Sequence, residues 1–347
     1  MKKRLRQIVV FIILSHVVIF SIILSRRKSV HVESGSIMVM GTVANVVAVA
    51  ADADTSSQCV KAVFEQLRII DDLMSDYIND SEISKVNQNA AAGPVKVSDT
   101  TFEVLQRAIY FSKASEGAFD ITVGPLVGLW RSAAEANSTP TSEQISQARE
   151  KVGYEKLILD SNESTVQFAV EGMRLDLGGI AKGYAIDKAI EEMQKLGALG
   201  GMVDVGGDIR CFGRPPKKRD SWLIGLDDPR HPQDMLTAAE PLLVIKLNDT
   251  AIATSGDYQR FAWIEGKKYS HIYDRKTGYS SKDLTSVTII ANNATDADAL
   301  ATSVSVLGPE KGLELIENIP NAEAILITAE PEFKMTKTKG ADKLIKP

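Results

Sequence analysis

The stretch Asp176-Leu177-Gly178-Gly179-Ile180-Ala181-Lys182-Gly183 reads as the end of a strand at residues 174–177 that passes through a glycine pair straight into a helix, with a lysine in its first turn. Glycines let a ligand approach the backbone, the free N–H groups of a helix start favour an anion, and Lys182 adds a full positive charge. A tight turn with a solvated lysine is the plainer reading of this segment alone. Neither Gly-x-x-x-x-Gly-Lys-Ser/Thr nor Gly-x-Gly-x-x-Gly occurs, so no standard nucleotide loop is present.

Downstream of this turn, a helix at 180–196 is closed by Gly197. Short strands are expected at 202–205, 222–226, 242–247, 252–254, 269–273 and 286–290, then helices at 296–307 and 310–316 and a last strand at 324–328. Upstream, residues 37–49 form a Val-rich strand interrupted at Met40-Gly41-Thr42. Val60, Val63, Phe64, Leu67, Ile70 and Met74 mark an amphipathic helix over 59–74. Thr100 with Glu103, and Thr141 with Gln144, make capping boxes for two more helices, the first ending at Gly117. This mixed order predicts an α+β or mixed α/β fold with mixed sheets and packed helices, not an alternating doubly wound sheet.

The 347 residues carry a net charge of −5, with 44% hydrophobic and 24% charged side chains. That composition excludes a disordered chain, a disulfide-dense miniprotein and a polytopic membrane protein, and the acidic balance argues against nucleic acid as a partner. Cys59 and Cys211 permit at most one disulfide. At the start, Lys2, Lys3, Arg4 and Arg6 precede an apolar run over 8–24, followed by Arg26, Arg27 and Lys28. The run just reaches the ~17–25 residues a spanning helix needs. An uncleaved signal anchor is favoured over a removed signal peptide, because no small-x-small site follows and a basic cluster does. Residues 1–35 are therefore read as anchor and linker, 36–330 as one catalytic domain, and 331–347 as a charged, frayed tail.

Asp298 and Thr302 stand four apart on one helix face, a carboxylate and a hydroxyl that suit Mg²⁺; Asp298 as a simple dipole partner is the alternative. Val205-Gly206-Gly207-Asp208 and Ala253-Thr254-Ser255-Gly256-Asp257-Tyr258 end two further strands with glycine and a carboxylate. His271, placed mid-strand, is either a core histidine or a group handling a proton or phosphate charge. With no Gly-x-Ser-x-Gly elbow and no His-Glu-x-x-His, phosphoryl or nucleotidyl transfer with Mg²⁺ is the chemistry these segments favour.

Taken in order, these segments together with Ser81-Glu82-Ile83-Ser84-Lys85-Val86-Asn87, Gly117-Ala118-Phe119-Asp120-Ile121-Thr122-Val123-Gly124-Pro125 and His271-Ile272-Tyr273-Asp274 resemble the ApbE family, the FAD:protein FMN transferases. The resemblance implies an ApbE-like flavin transferase fold preceded by one membrane helix. It implies an exported enzyme, anchored in the bacterial inner membrane with its catalytic domain on the periplasmic side. Such an enzyme uses Mg²⁺ to split FAD, its substrate, and joins FMN by a phosphoester to a Thr or Ser of an acceptor flavoprotein, releasing AMP. Acceptors would be subunits of sodium-pumping NADH:quinone reductase or Rnf-type complexes. By resemblance, FAD is contacted by Met40, Tyr77, Ala118, Phe119, Asp120, Asp176, Lys182 and Ile272. Mg²⁺ is held by Asp298, Thr302 and the carbonyl of Gly179, and His271 matches the family histidine that takes part in transfer; as a proton acceptor for the acceptor hydroxyl, His271 or a nearby carboxylate such as Asp257 is the candidate. The chain departs from many relatives in lacking a lipid-bearing Cys, and from some in having Ala301 where they carry Asp. An FAD pyrophosphatase and a non-catalytic flavin-binding assembly protein are the alternatives.

Overall fold

A computed structural model describes residues 30–230, 240–257, 261–329 and 331–347. The expected anchor at 8–24 lies outside the described residues. Among the described residues no helix is long and apolar enough to cross a membrane.

The described chain opens with a hairpin of β1 (His31–Val39) and β2 (Thr42–Ala50), where one interrupted strand is expected from sequence. Met40 (φ 52°) and Gly41 (φ 69°) both take left-handed backbone, and Val39 pairs with Thr42. That is the geometry of a tight two-residue hairpin turn, so the interruption is a reversal. Helix α1 (Ala53–Met74) follows, capped by Asp52, then α2 (Glu82–Asn89), β3 (Val95–Lys96) and α3 (Asp99–Ala114). The expected Thr100–Glu103 capping box is not the cap of α3. Ser98 caps it instead, its hydroxyl accepting from the Thr101 N–H, and Glu103 reaches Tyr184 on another helix. The Thr141–Gln144 box does cap α5 (Ser142–Glu150), which follows α4 (Gly124–Ala136). A small antiparallel sheet joins β3 to β5 (Thr165–Phe168) and β4 (Leu157–Asp160).

The expected strand at 174–177 makes only an isolated bridge between Arg174 and Val123. Its backbone is held by other means. The Asn87 side chain exchanges two hydrogen bonds with the Leu175 backbone, and the Asp176 N–H donates to the Ile121 carbonyl at 2.8 Å. Next come α6 (Ala181–Lys195), β6 (Gly200–Val205), β7 (Asp208–Gly213), β8 (Trp222–Leu226), β9 (Leu243–Leu247), β10 (Ala251–Gly256), β11 (Phe261–Ile264), β12 (Lys267–Ser270) and β13 (Leu284–Ala291). Helix α7 (Ala294–Glu317) contains the two expected C-terminal helices, with a break at Gly308 (φ 78°) and Pro309, and leads to β14 (Glu323–Thr328) and β15 (Met335–Lys337).

Eight strands build the main sheet in the order β1-β2-β6-β7-β10-β13-β14-β15. Its pairings and those of the smaller sheets are all antiparallel, so the expected mixed sheets are not found among the described residues. One face packs on the helices and the other on the β8–β9 ribbon. Ala253 and Ile289 therefore join the helical core while Ile252 and Ile290 join the opposite cluster with Trp222 and Ile245. Strand β13 is buried along its whole length, its hydroxyl residues Thr285, Ser286 and Thr288 included. Cys59 and Cys211 fall in the two different clusters, and both are free thiols.

The expected frayed tail is instead packed. β15 extends the sheet, Ala341 is fully buried, and the Lys346 N–H donates to the Val244 carbonyl at 2.8 Å. Its charged residues hide an apolar minority of Met335, Leu344 and Ile345 that closes the second cluster.

Candidate functional site

Two helix starts meet at the site. A Cβ on Gly183, in the first turn of α6, would lie 2.2 Å from the Ala294 carbonyl oxygen and 2.8 Å from the Thr295 Cα, so only glycine lets α6 and α7 approach this closely. The freed Gly183 N–H donates to Asp298 Oδ2 at 3.0 Å. One turn further along α6, the buried Asp187 carboxylate accepts from the N–H groups of Ala294 and Thr295, both at 2.9 Å, and from Arg210 Nη1 on β7 at 2.7 Å. Asp187 thus satisfies orphan donors at the start of α7 and ties α6, α7 and the sheet together. Sequence reading misses it, because an Asp inside an ordinary amphipathic helix carries no local signal of a partner about a hundred residues away.

Lys182 ion-pairs with the buried Asp208 at the start of β7, and its Nζ lies 3.9 Å from Asp298 Oδ1. Asp208 also accepts from the Thr254 N–H, so the third glycine-marked strand end is drawn to the same place. Burial pushes the Asp298 carboxyl above the usual carboxylate range, against the pull of Lys182 and the Gly183 N–H. A buried carboxylate of this kind gains from a cation close by.

At Gly179 a built Cβ would lie 2.8 Å from Thr302 Oγ1 and 3.2 Å from the Phe119 ring. The glycine pair therefore fits against Asp298's helix and the buried Phe119, bringing the expected metal residues together. A carbonyl, a hydroxyl and one carboxylate are hard oxygen donors, and Mg²⁺ takes few carboxylates and keeps several waters, so these residues fit it. Among the described residues no group of three His, Cys, Asp or Glu side chains forms a metal cage.

Phe119, whose ring meets Gly179, and the preceding Ala118 are both buried. The Asp120 carboxylate is filled internally: Thr122 donates through N–H and hydroxyl, the Tyr154 N–H donates at 2.9 Å, and Arg275 Nη1 donates at 3.1 Å. Burial pushes Asp120 up, whereas the Arg275 fork on Glu155 holds that carboxyl down to about 2 from 4.5. Because Glu155's folded value lies below its unfolded one, its stabilisation is complete above pH 4.5 and disappears as pH falls toward 2. Glu155 is 54% exposed, so solvent screening keeps the effect below about 1 kcal/mol. Glu155→Gln is expected to lower the melting temperature slightly at pH 8, where the pair is complete, and to converge on wild type as pH falls from 4.5 toward 2, so that the acid limb of the profile is flatter. An acid limb identical to wild type would refute the assignment.

A second group surrounds Asp176. Burial and the charge of Asp176 raise the Asp76 carboxyl against Arg131 and Arg174, and burial pushes the Tyr273 hydroxyl up to about 12. Arg131 lies 4.8 Å over the ring of Tyr77, which is 74% exposed and presents a broad aromatic face. Met40 occupies the hairpin turn, its N–H donating to Asp71 Oδ2 at 2.8 Å, and the neighbouring Thr42 packs on Gly206.

His271 is not mid-strand. β12 ends at Ser270, and His271 sits exposed in a bend before the buried Ile272. The alternating Tyr269-Ser270-His271-Ile272-Tyr273 pattern conceals this, because Ile272 is fixed by a turn in which the Ser281 N–H bonds its carbonyl. Asp257 follows β10, where it accepts from the Thr285 hydroxyl at 2.6 Å and pairs with Lys268 at 3.3 Å.

The ApbE family profile matches residues 40–326, a span that contains all of these groups. The chain is 35% identical over 295 residues to the FAD:protein FMN transferase of Haemophilus influenzae, covering 83% of this chain and 84% of that one. It is 34% identical over 301 residues to that of Vibrio cholerae, covering 85% and 87%. Among solved structures, the ApbE protein of Thermotoga maritima superposes with a TM-score of 0.81 at 29% identity, over 91% of this chain and all of that one. The apo flavinyl transferase ApbE of Pseudomonas stutzeri gives 0.78 at 31% identity, over 91% and 97%. With the mixed α/β fold, the paired helix starts and the matched span in agreement, the chain belongs to the ApbE family.

Proposed function

We propose that this chain is a Mg²⁺-dependent FAD:protein FMN transferase. It splits FAD and attaches FMN through a phosphoester to a Thr or Ser hydroxyl of an acceptor protein, releasing AMP. The observation that carries this reading is Lys182 held between the buried Asp208 and Asp298, beside the Gly179–Thr302 contact. A pyrophosphate brings negative charge that must be neutralised as its bridging bond breaks, and preorganised charge does that best.

Asp298, Thr302 and the Gly179 carbonyl would hold Mg²⁺, which when bound neutralises phosphate charge as a Lewis acid. Ala301 is buried against the core and offers no further ligand. Lys182 meets the pyrophosphate oxygens at the helix start, with Asp208 fixing its direction. Phe119, Ala118, Met40, Tyr77, Asp176 and Ile272 supply the apolar and polar walls for the dinucleotide. Asp120 supports that wall through its four internal donors. The acceptor oxygen bonds to the FMN phosphorus, the bond to the bridging oxygen breaks, and AMP leaves with that oxygen. The hydroxyl proton passes to His271, which is exposed, or to Asp257, which accepts from Thr285 and pairs with Lys268.

The basic-flanked apolar run at 8–24 supports a membrane anchor; its four charges before and three after do not set an orientation, and a periplasmic catalytic domain is supported by the family resemblance. Acceptor subunits of sodium-pumping NADH:quinone reductase or Rnf-type complexes fit that setting. The test mixes the full-length chain in detergent with FAD, Mg²⁺ and such an acceptor subunit. A fluorescent covalent FMN adduct with one AMP per adduct is expected. AMP released equally without acceptor would instead indicate an FAD pyrophosphatase, and FAD binding with neither product a flavin-binding assembly protein.

A further inference from the structure

The β11–β12 hairpin presents an aromatic pair to solvent. Phe261 is 45% and Trp263 60% exposed, their rings 6.2 Å apart and perpendicular, with Lys268 Nζ 4.9 Å over the Phe261 ring. Large apolar side chains displayed together on a surface mark contact sites, and rigid aromatics are the residues that anchor protein interfaces. This hairpin is held on three sides. Its inner face, with Ala262, Ile264 and Tyr269, packs on Trp130, whose ring lies 4.8 Å from that of Tyr269. Its tip turns through Glu265 and Gly266, both at positive φ, and is pinned where the Glu265 N–H donates to Asn137 Oδ1 at 2.9 Å and Thr139 donates to the Glu265 carboxylate at 2.7 Å. At its foot Phe261 pairs with Ser270, the residue before His271, while Lys268 reaches across to Asp257.

The exposed aromatics are therefore preorganised and continuous with both groups able to accept the hydroxyl proton. Burying them costs less ordering than burying residues of a free loop, because the hairpin backbone is already held at its inner face and tip. We propose that the Phe261–Trp263 face seats the acceptor protein, taking an apolar side chain of the segment that carries the Thr or Ser hydroxyl toward His271. The inference rests on the transferase reading, because that activity requires a protein surface at this mouth and an apolar dock beside the base fixes the register of its hydroxyl. A lipid surface and a second copy of the chain are the other occupants such a face could take.

The experiment compares the full-length wild-type chain with the double variant Phe261→Ser/Trp263→Ser and the conservative Phe261→Tyr/Trp263→Phe, using the acceptor subunit above as probe. The serine variant is expected to raise KM for the acceptor at least tenfold, with kcat at saturating acceptor within about twofold of wild type. FAD affinity and melting temperature should stay close to wild type, and the aromatic variant should retain the wild-type KM. An unchanged acceptor KM in the serine variant overturns the proposal while leaving the transferase reading intact. Equal loss of FAD affinity, loss of binding to phosphatidylglycerol vesicles without a change in KM, or dissociation of a wild-type dimer with KM unchanged also overturns it. No adduct from the wild-type chain overturns both readings.

Discussion

Asp298→Ala is expected to slow FMN transfer by about 10²–10³-fold, the scale of removing one preorganised charge-stabilising group from a transition state. Asp298 is buried, receives the Gly183 N–H and shares Lys182 with Asp208, so its loss frees Lys182 to pair with Asp208 alone. Single-turnover adduct formation over a Mg²⁺ titration measures the effect. The expected signature is a lost Mg²⁺ dependence alongside the lost rate. Removing this buried carboxylate also removes a desolvation cost that offsets the lost Gly183 bond, so the variant should melt no lower than wild type by more than a few degrees. Transfer that stays within threefold of wild type at every Mg²⁺ concentration would remove Asp298 from the proposed cation site.

Asp187→Ala should produce the largest stability loss, about 3 kcal/mol, because it strands two buried helix-start N–H groups and a half-buried cation. Arg210 loses the partner that holds its Nη1, while its Nε is already buried without a hydrogen-bond partner among the described residues. The α7 start loses the acceptors for Ala294 and Thr295. A melting temperature lower by on the order of 10 °C is expected. Asp187→Asn keeps an acceptor oxygen and should lose about half as much. Since the α7 start carries Asp298, the alanine variant should also weaken FAD binding at temperatures where it remains folded. Melting curves within two degrees of wild type would show that water replaces the carboxylate and that α6 and α7 do not depend on it.

Legibility of the fold follows the range of the interactions responsible. The Met74 end of helix α1, the Thr141 cap, the Gly197 terminus and β8 are set by periodicity and turn chemistry within a few residues and are found where sequence reading expects them, whereas α1 starts six residues earlier than expected, at the Asp52 cap. Residues 174–177 look like a strand and are not one, because Asn87 and Ile121 take the hydrogen bonds a neighbouring strand would. The C-terminal residues look like a frayed tail, yet Met335, Ala341, Leu344 and Ile345 seat them on a sheet edge that the charge pattern does not reveal.

For the site, the ordered segments Asp176 to Gly183, Gly206 to Asp208 and Asp298 to Thr302 are visible in the sequence as chemistry-bearing residues near turns. Residue type and i, i+4 spacing determine that a lysine, a carboxylate and a hydroxyl are available at helix starts. What they cannot determine is which helix start meets which. That was decided by tertiary packing: glycine at 183 admits the Ala294 backbone, Asp187 and Arg210 lock the crossing, and Lys182 is thereby placed between two carboxylates from different elements. The exposure of His271, Phe261 and Trp263 was decided in the same way, by a hairpin pinned at its tip and core, since alternation along a strand assigns faces but not which face the rest of the molecule leaves uncovered.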